Sequence, residues 1–443
     1  MINKTLAWRA VARFGWSGIA MTAFLGAAIL YFWYPATYFD ALYFFGVPLQ
    51  PLKFPFIDLQ FVLANVECWQ KGIDVYTSNP CDPLGRLFDY SPLFLRFSFL
   101  PSSEQTPIVG VLLDVSFILG LASFPQPKRA REWLVAALAT VSPPVVFALE
   151  RGNSDIALFL VVVAAAYLWT RGSIARAVGY SVVFVAGALK FYPWALLALA
   201  VRERIVGFLA VFAISAALVV GFLAYFHSEL ALSVQHLPEP RYYAEMFGAS
   251  LLPEGLPHAF APMLARISLF NDTLPALGLW MALAFVSLWE VGKIVRWVEF
   301  RRAFMALAPF QTACLLFGSV IMCGCFFAGK NLGYRCIYLL LALPAFLELW
   351  RDAVDPIVRN FSRRMAILVV LVMMCGYLTW IGPLADQIRV HEPLEYVLVW
   401  LICELAWWRV IAVLGAIILC FVLESPTAAA GRRRFSLALR PLA

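Results

Sequence analysis

AVGYSVVFVAGALKFYPWALLALAV runs from Ala177 to Val201, and its reading sets how often this chain crosses a membrane. Arg171 and Arg176 precede it, and Arg202 and Arg204 follow it, so both ends carry the charge that marks the cytoplasmic face of a bilayer. An apolar stretch that starts and ends on one face must turn back. Lys190 and Pro193 interrupt its middle, and two short helices meeting at Lys190 satisfy the pattern. A non-helical turn at such depth is tolerated only against protein or a wet cavity.

The rest of the chain extends this reading. Hydrophobic residues make up 63% and charged residues 14% of the 443 positions, with a mean hydropathy of +0.81; a soluble domain carries roughly 25% charged residues. The sequence describes a single multi-span membrane domain over residues 1–443. Windows of about 19 residues place spans near 16–36, 107–124, 133–149, 156–170, 205–226, 273–292, 303–326, 336–349, 365–383 and 398–423. With the Lys190 hairpin this is an all-α bundle of about 10–12 membrane segments.

The formal net charge of +7 does not mark a nucleic-acid binder, because the basic residues lie in small groups between apolar runs. Assigning MINKTLAWRAVAR, PKRAR, RGSIAR, RER, KIVRWVEFRR, RDAVDPIVRNFSRR and the basic tail (425–443) with its GRRR to the cytoplasm gives a consistent alternation, with both termini inside. The first apolar run lacks a convincing A-x-A cleavage site and reads as an uncleaved span. Three segments then face outward: the first loop (35–106), the second (227–260) and ADQIRVHEPLEY from Ala385. The first loop, rich in Phe, Leu and Tyr, predicts helices lying in the interface.

Most of the nine cysteines fall in or beside spans, Cys375 and Cys403 among them, and read as small apolar residues. Cys68 and Cys81 share the first outer loop and are a candidate disulfide. His227, His236, His258 and His391 show no metal-ligand spacing, and no nucleotide-binding motif occurs, so neither a metal nor a cofactor is expected.

Four polar groups could carry chemistry. Asp58 follows the apolar FPFI and is either a helix-terminus partner or a general base at the membrane surface. Glu67 pairs with Lys71 one turn on or faces solvent, and Asp74 reads as turn chemistry. In ALERGNSDIALF, Glu150 and Arg151 form a neutralising pair while Asn153, Ser154 and Asp155 cap the next helix, or the group lines a site. Lys190 costs about 2.5–3.5 kcal/mol at a helix centre, so it either snorkels or binds an anion such as a lipid phosphate. Lys330 and Arg335, beside Tyr334 and Tyr338, are second anion ligands or interfacial anchors.

Taken in order, Asp58, GIDVY (Gly72 to Tyr76), NPCDPLGR and DYSP (Asn79 to Pro92), ERGNSD (Glu150 to Asp155), LKFYP (Leu189 to Pro193) and GYRCIYLLLALP (Gly333 to Pro344) resemble glycosyltransferase family 87 of the GT-C superfamily. The likeness spans roughly residues 50–345 and is strongest in the RGN-x-D and LK-x-YP pieces. It implies a GT-C-like bundle in a bacterial inner membrane, with an outward-facing site and a sugar donor carried on polyprenyl phosphate. It implies transfer of a hexose or pentose, mannose-like first, to a lipid or glycan acceptor. Asp58 matches the catalytic base. Lys190, Arg335, Tyr334, Lys330, Asn153, Asp155, Arg151, Tyr192 and Glu67 are the expected substrate-binding residues. Direct attack by the acceptor inverts the anomeric centre, and basic side chains rather than a metal take the phosphate charge. A transporter or flippase of a lipid-linked saccharide is the alternative, and an inactive envelope scaffold a third.

Overall fold

The computed structural model describes residues 15–44, 54–237, 246–256, 273–375 and 394–428. The first basic piece, residues 45–53 of the first loop, His258, most of ADQIRVHEPLEY with His391, and GRRR lie outside the described residues.

The chain is an all-α membrane protein. Among the described residues seven helices are long and apolar enough to cross a bilayer, or up to nine if each of two bent helix pairs is one span. The chain opens with α1 (Gly15–Trp33) and α2 (Pro35–Phe44), which pack together, and then forms α3 (Ile57–Gln70). After α4 (Thr106–Leu121) comes the first bent pair, α5 (Ala130–Thr140) and α6 (Pro143–Arg151), broken by 45° where Pro143 and Pro144 start a new helix. Next follow α7 (Ser154–Trp169), α8 (Ser173–Lys190), α9 (Ile205–Tyr225) and α10 (His227–Gln235). The second half holds α11 (Thr273–Arg296), α12 (Val298–Met305), α13 (Pro309–Ala328), α14 (Leu343–Asp352), α15 (Pro356–Met374) and α16 (Leu394–Glu424).

Among the described residues fewer full spans occur than the apolar windows predict, and the reasons are local. The window at 156–170 becomes α7, 16 residues long, which starts at Ser154 within the polar RGNS joint. The window at 336–349 becomes a 3-10 helix (Gly333–Leu341) and α14, bent by 41°, where Pro344 begins a new helix.

The Ala177–Val201 stretch does turn at Lys190, but its first arm is not short. Nothing before Pro193 breaks the helix, so α8 runs 18 residues. The return arm is an 11-residue 3-10 helix (Tyr192–Arg202), about 22 Å long at 2.0 Å per residue. At its far end Arg176 and Tyr180 of α8 bond Glu203 at 2.7 and 3.1 Å, which closes the hairpin.

Packing divides the helices into two kinds. α13 is largely buried at the centre against α7, α16 and both 3-10 helices. α9, by contrast, has none of its apolar window buried. A helix that is apolar all round and packs so little against protein suits lipid, which solvates it without a partner.

The segment between α2 and α4 has its own small core. Phe61, Val66, Val75, Tyr76, Phe88 and Phe94 are buried together, with Leu189 of α8 and Leu232 of α10 packed against them. Cys68 and Cys81 are bonded within it. The loop is therefore seated on the bundle, not detached from it. Cys375 and Cys403 are bonded as well, tying the end of α15 to α16, where the sequence suggested only apolar filler. A two-residue pairing, β1 (Met246–Phe247) with β2 (Asn331–Leu332), holds the segment after α10 against the one that leads to Arg335.

One close approach sets where α3 begins. A Cβ on Gly110 of α4 would collide with the Phe56 ring, whereas a Cβ on Gly26 would meet nothing within 4 Å. Gly110→Val should therefore destabilise the protein by about 1–3 kcal/mol through overpacking, while Gly26→Val stays near neutral. Thermal unfolding of both variants in one detergent checks this, and equal midpoints would count against it.

Candidate functional site

Four sequence segments deliver polar side chains to one end of the bundle. The Phe56 amide donates to the Glu150 carbonyl at 2.6 Å, which pins the start of α3 to the end of α6. Asp58, in the first turn of α3, thereby faces the α6–α7 joint. That joint has no loop: Gly152 at φ 57° ends α6, and Asn153 caps α7 by accepting from the Asp155 amide at 3.0 Å.

Asn153 also holds the site together. Its Nδ2 donates to Asp58 Oδ2 at 2.8 Å, and its Oδ1 accepts from Lys190 Nζ at 3.0 Å. Lys190 Nζ donates in turn to Asp155 Oδ2 at 2.6 Å, with both side chains almost fully buried. One amide thus stands between a carboxylate and an ammonium. Arg151 Nη1 reaches Asp58 Oδ1 at 3.3 Å and Arg86 Nη1 lies 3.8 Å from the same atom. Asp58 keeps 17% of its side chain exposed, so it is held but still reachable.

Aromatic hydroxyls and rings complete the wall. Lys190 Nζ lies 5.0 Å from the Tyr90 ring and 5.4 Å from the Tyr334 ring. The Tyr192 hydroxyl donates to Asp155 Oδ1 and meets the Tyr338 hydroxyl at 2.7 Å. Arg335 lies 5.2 Å over the Tyr192 ring and donates through Nη1 to Asn331 Oδ1. Its Nε is buried with no hydrogen-bond partner among the described residues, so one face of this guanidinium still has a donor to give.

The backbone is strained at both sides of this cluster. Phe56 (φ 65°) and Phe191 (φ 53°) are the non-glycine residues with positive φ among those described, two positions before Asp58 and one after Lys190. Such conformations cost about 1–3 kcal/mol each and persist where the surroundings over-determine them.

Several expectations change against this geometry. Asp58 is no helix cap: Phe56 holds that position, and the carboxylate accepts from Asn153 and Arg151. Lys190 neither snorkels nor points outward, but turns to Asp155 and Asn153. The cap of α7 is Asn153, while Ser154 Oγ is buried without a partner among the described residues. Glu67 lies nine residues from Asp58, about 14 Å along α3, and clamps Lys71 Nζ at 2.6 Å and Ser103 Oγ at 2.8 Å; it joins none of these contacts. Lys330 is drawn to Glu254 at 2.5 Å. Asp74 accepts from the Tyr76 amide at 3.1 Å, the turn contact its sequence suggests.

Sequence reasoning passed over Arg86, Asp82 and Asp89. Arg86 bonds both oxygens of buried Asp82 at 3.0 and 2.9 Å and donates to the Ile57 carbonyl at 2.8 Å, one residue before Asp58. The four-residue spacing of Asp82 and Arg86 was visible, but the Pro83 and Gly85 between them hid it from a helical reading. Among the described residues, no three His, Cys, Asp or Glu side chains form a group able to hold a metal ion.

No protein-family model, curated protein or solved structure matches the chain. The site must therefore be read from its own chemistry.

The buried pair makes a sharp prediction. Lys190→Met or Asp155→Asn alone leaves a buried charge uncompensated and should cost about 3–5 kcal/mol, whereas the double variant should regain most of it. A thermal-unfolding double-mutant cycle reads the coupling; additive losses would contradict the pairing.

Two acids outside the spans give opposite pH signatures. Burial pushes the Asp89 carboxyl up from 3.8 to about 6, with Lys190 acting against it. Its folded form holds the proton more tightly, so this contribution to stability is complete below about pH 4 and lost as pH rises through about 6. Hydrogen bonds from Lys71 and Ser103 hold Glu67 down from 4.5 to about 2, and that contribution, present above 4.5, is lost as pH falls. Midpoints measured against pH should lose the first slope in Asp89→Asn and the second in Glu67→Gln.

Proposed function

We propose that this protein is a membrane glycosyltransferase that uses a polyprenyl-phosphate sugar, with Asp58 as its general base. The observation that carries the reading is a reachable carboxylate, Asp58, fixed by Asn153 and Arg151 at the same end of the bundle as a guanidinium, Arg335, that retains an unused buried donor. Transfer of a sugar from a lipid phosphate needs both. The acceptor hydroxyl oxygen attacks the anomeric carbon while its proton passes to Asp58. The bond from that carbon to the phosphate oxygen breaks, and its electron pair leaves with the lipid phosphate. Arg335 takes the developing charge, and Lys190, already neutralised by Asp155, orders the wall beside it. Attack opposite the departing phosphate inverts the anomeric centre.

The same reading assigns the site to the outer face of a bacterial inner membrane, both termini to the cytoplasm, and the bundle to a GT-C-like arrangement. Family 87, which the sequence motifs resemble, is the family proposed. The acceptor is a lipid or glycan and the sugar a hexose or pentose, mannose-like first. Two features favour the lipid-linked donor: lipid-facing α9 follows directly on the hairpin that carries Lys190, and the first-loop core packs on Leu189, its neighbour.

A flippase for a lipid-linked saccharide would also need a cation for the phosphate, but it has no use for a held base. Asp58→Asn separates the two. Purified protein supplied with polyprenyl-phosphate sugars and membrane lipid extract should form a glycosylated product detected by mass spectrometry. Asp58→Asn should slow that transfer by about 100-fold to 10,000-fold in protein that stays folded at the assay temperature. Full transfer by the variant, or lipid movement without a new glycosidic bond, would overturn the assignment.

A further inference from the structure

Asp89 is used by nothing described so far. Its Oδ1 is buried without a hydrogen-bond partner among the described residues, a state that native proteins rarely tolerate for a carboxyl oxygen. Its position is nevertheless fixed on every side. Phe88, before it, is fully buried between Phe61 and Tyr76. Tyr90, after it, places its ring beneath the Lys190 ammonium at 5.0 Å and its carbonyl under Ser233 Oγ at 2.9 Å. Ser91 Oγ donates to the Ala188 carbonyl at 2.6 Å, two residues before Lys190. A carboxyl group on so rigid a support, with one buried oxygen left unpaired, is placed to take a donor that the protein itself does not supply.

The surroundings select that donor. Of the charged groups that act on Asp89, Lys190 is paired with Asp155, Arg86 with Asp82 and Asp58 with Arg151, so no surplus charge is left to favour an ionic ligand. A neutral hydroxyl needs none. It can donate to a carboxylate, and it can equally exchange hydrogen bonds with a protonated carboxyl. The Asp58 carboxylate and the Lys190 ammonium both act electrostatically on Asp89, which therefore lies within reach of both charges.

We infer that Asp89 binds a hydroxyl group of the sugar carried by the lipid phosphate and thereby helps select which sugar is used. This rests on the glycosyl-transfer reading only for what happens next; the contact itself is a binding claim. A site built to hydrogen-bond a substrate hydroxyl discriminates strongly against analogues that lack it, because its own polar group is then left unpaired.

Binding measurements on the full-length protein separate the inference from the reading beneath it. The probes are polyprenyl phosphate alone and a panel of the same lipid bearing single hexoses or pentoses, including monodeoxy forms. Wild type should bind its preferred sugar lipid more tightly than the bare lipid. Asp89→Asn should weaken binding of that sugar lipid at least tenfold and leave the bare lipid within twofold. One monodeoxy sugar should be bound equally by wild type and variant, which identifies the hydroxyl. The ligand-free unfolding midpoint of Asp89→Asn near neutral pH should not fall, since burial there disfavours the charged carboxyl that the amide replaces; a purely structural aspartate would lower it. Equal weakening of both lipids, or no weakening of either, overturns the inference even if transfer proceeds. Selective loss of sugar-lipid affinity in a protein that forms no glycosidic bond upholds the inference and removes the transferase reading.

Discussion

A lysine ammonium inside an apolar bundle needs a counter-charge, and the pairing of Lys190 with Asp155 at 2.6 Å is the constraint on which the site depends. The pair fixes the end of α8 against the start of α7. Because α7 follows α6 without a loop, the same contact fixes Arg151 and Asn153, and through them the orientation of Asp58. The hairpin turn at Phe191 and the Tyr192 hydroxyl then bring the 3-10 helix and Arg335 into register. Removal of any of these members would disturb the rest, since the low-dielectric surroundings leave little water to replace a lost partner.

The loop between α2 and α4 contributes the other half. Its apolar core, which includes Leu189 and Leu232 of the bundle, and the Cys68–Cys81 bond hold its shape, and Arg86 carries that shape to the first turn of α3. Arg86 spends two of its donors on Asp82 and one on a backbone carbonyl, so its weak approach to Asp58 at 3.8 Å is positional as much as electrostatic. Surface ion pairs elsewhere, such as Arg301 with Glu424, carry no comparable burden.

Much of this was legible in the sequence. Composition and charge alternation define an all-α membrane protein, and Asp58, Asn153, Asp155, Lys190 and Arg335 stand out because polar side chains in apolar runs demand an explanation. Their partners did not stand out. That Lys190 would choose Asp155, 35 residues earlier, depends on a helix crossing that no local pattern encodes. Glu67 already read as the weaker acid, a partner of Lys71 one turn on, and the seating of α3 against α6 keeps it away from the Asp58 contacts. The turn at Lys190 was legible, whereas the full length of α8 and the 3-10 form of the return arm were not, because no local pattern marks either.

The Asn153 side chain has a direction. Its carbonyl faces two donors, the Lys190 ammonium and the Asp155 amide, while its NH2 faces the Asp58 carboxylate. Turned end for end, it would set oxygen against oxygen and nitrogen against nitrogen. The row from Lys190 to Asp58 is therefore polarised one way, and positive and negative ends cannot trade places. Aspartate at this position, nearly identical in shape, would lose the donor half of the amide, and glutamine would move both halves out of reach. The geometry leaves the chain one choice of side chain at the point where its two halves meet.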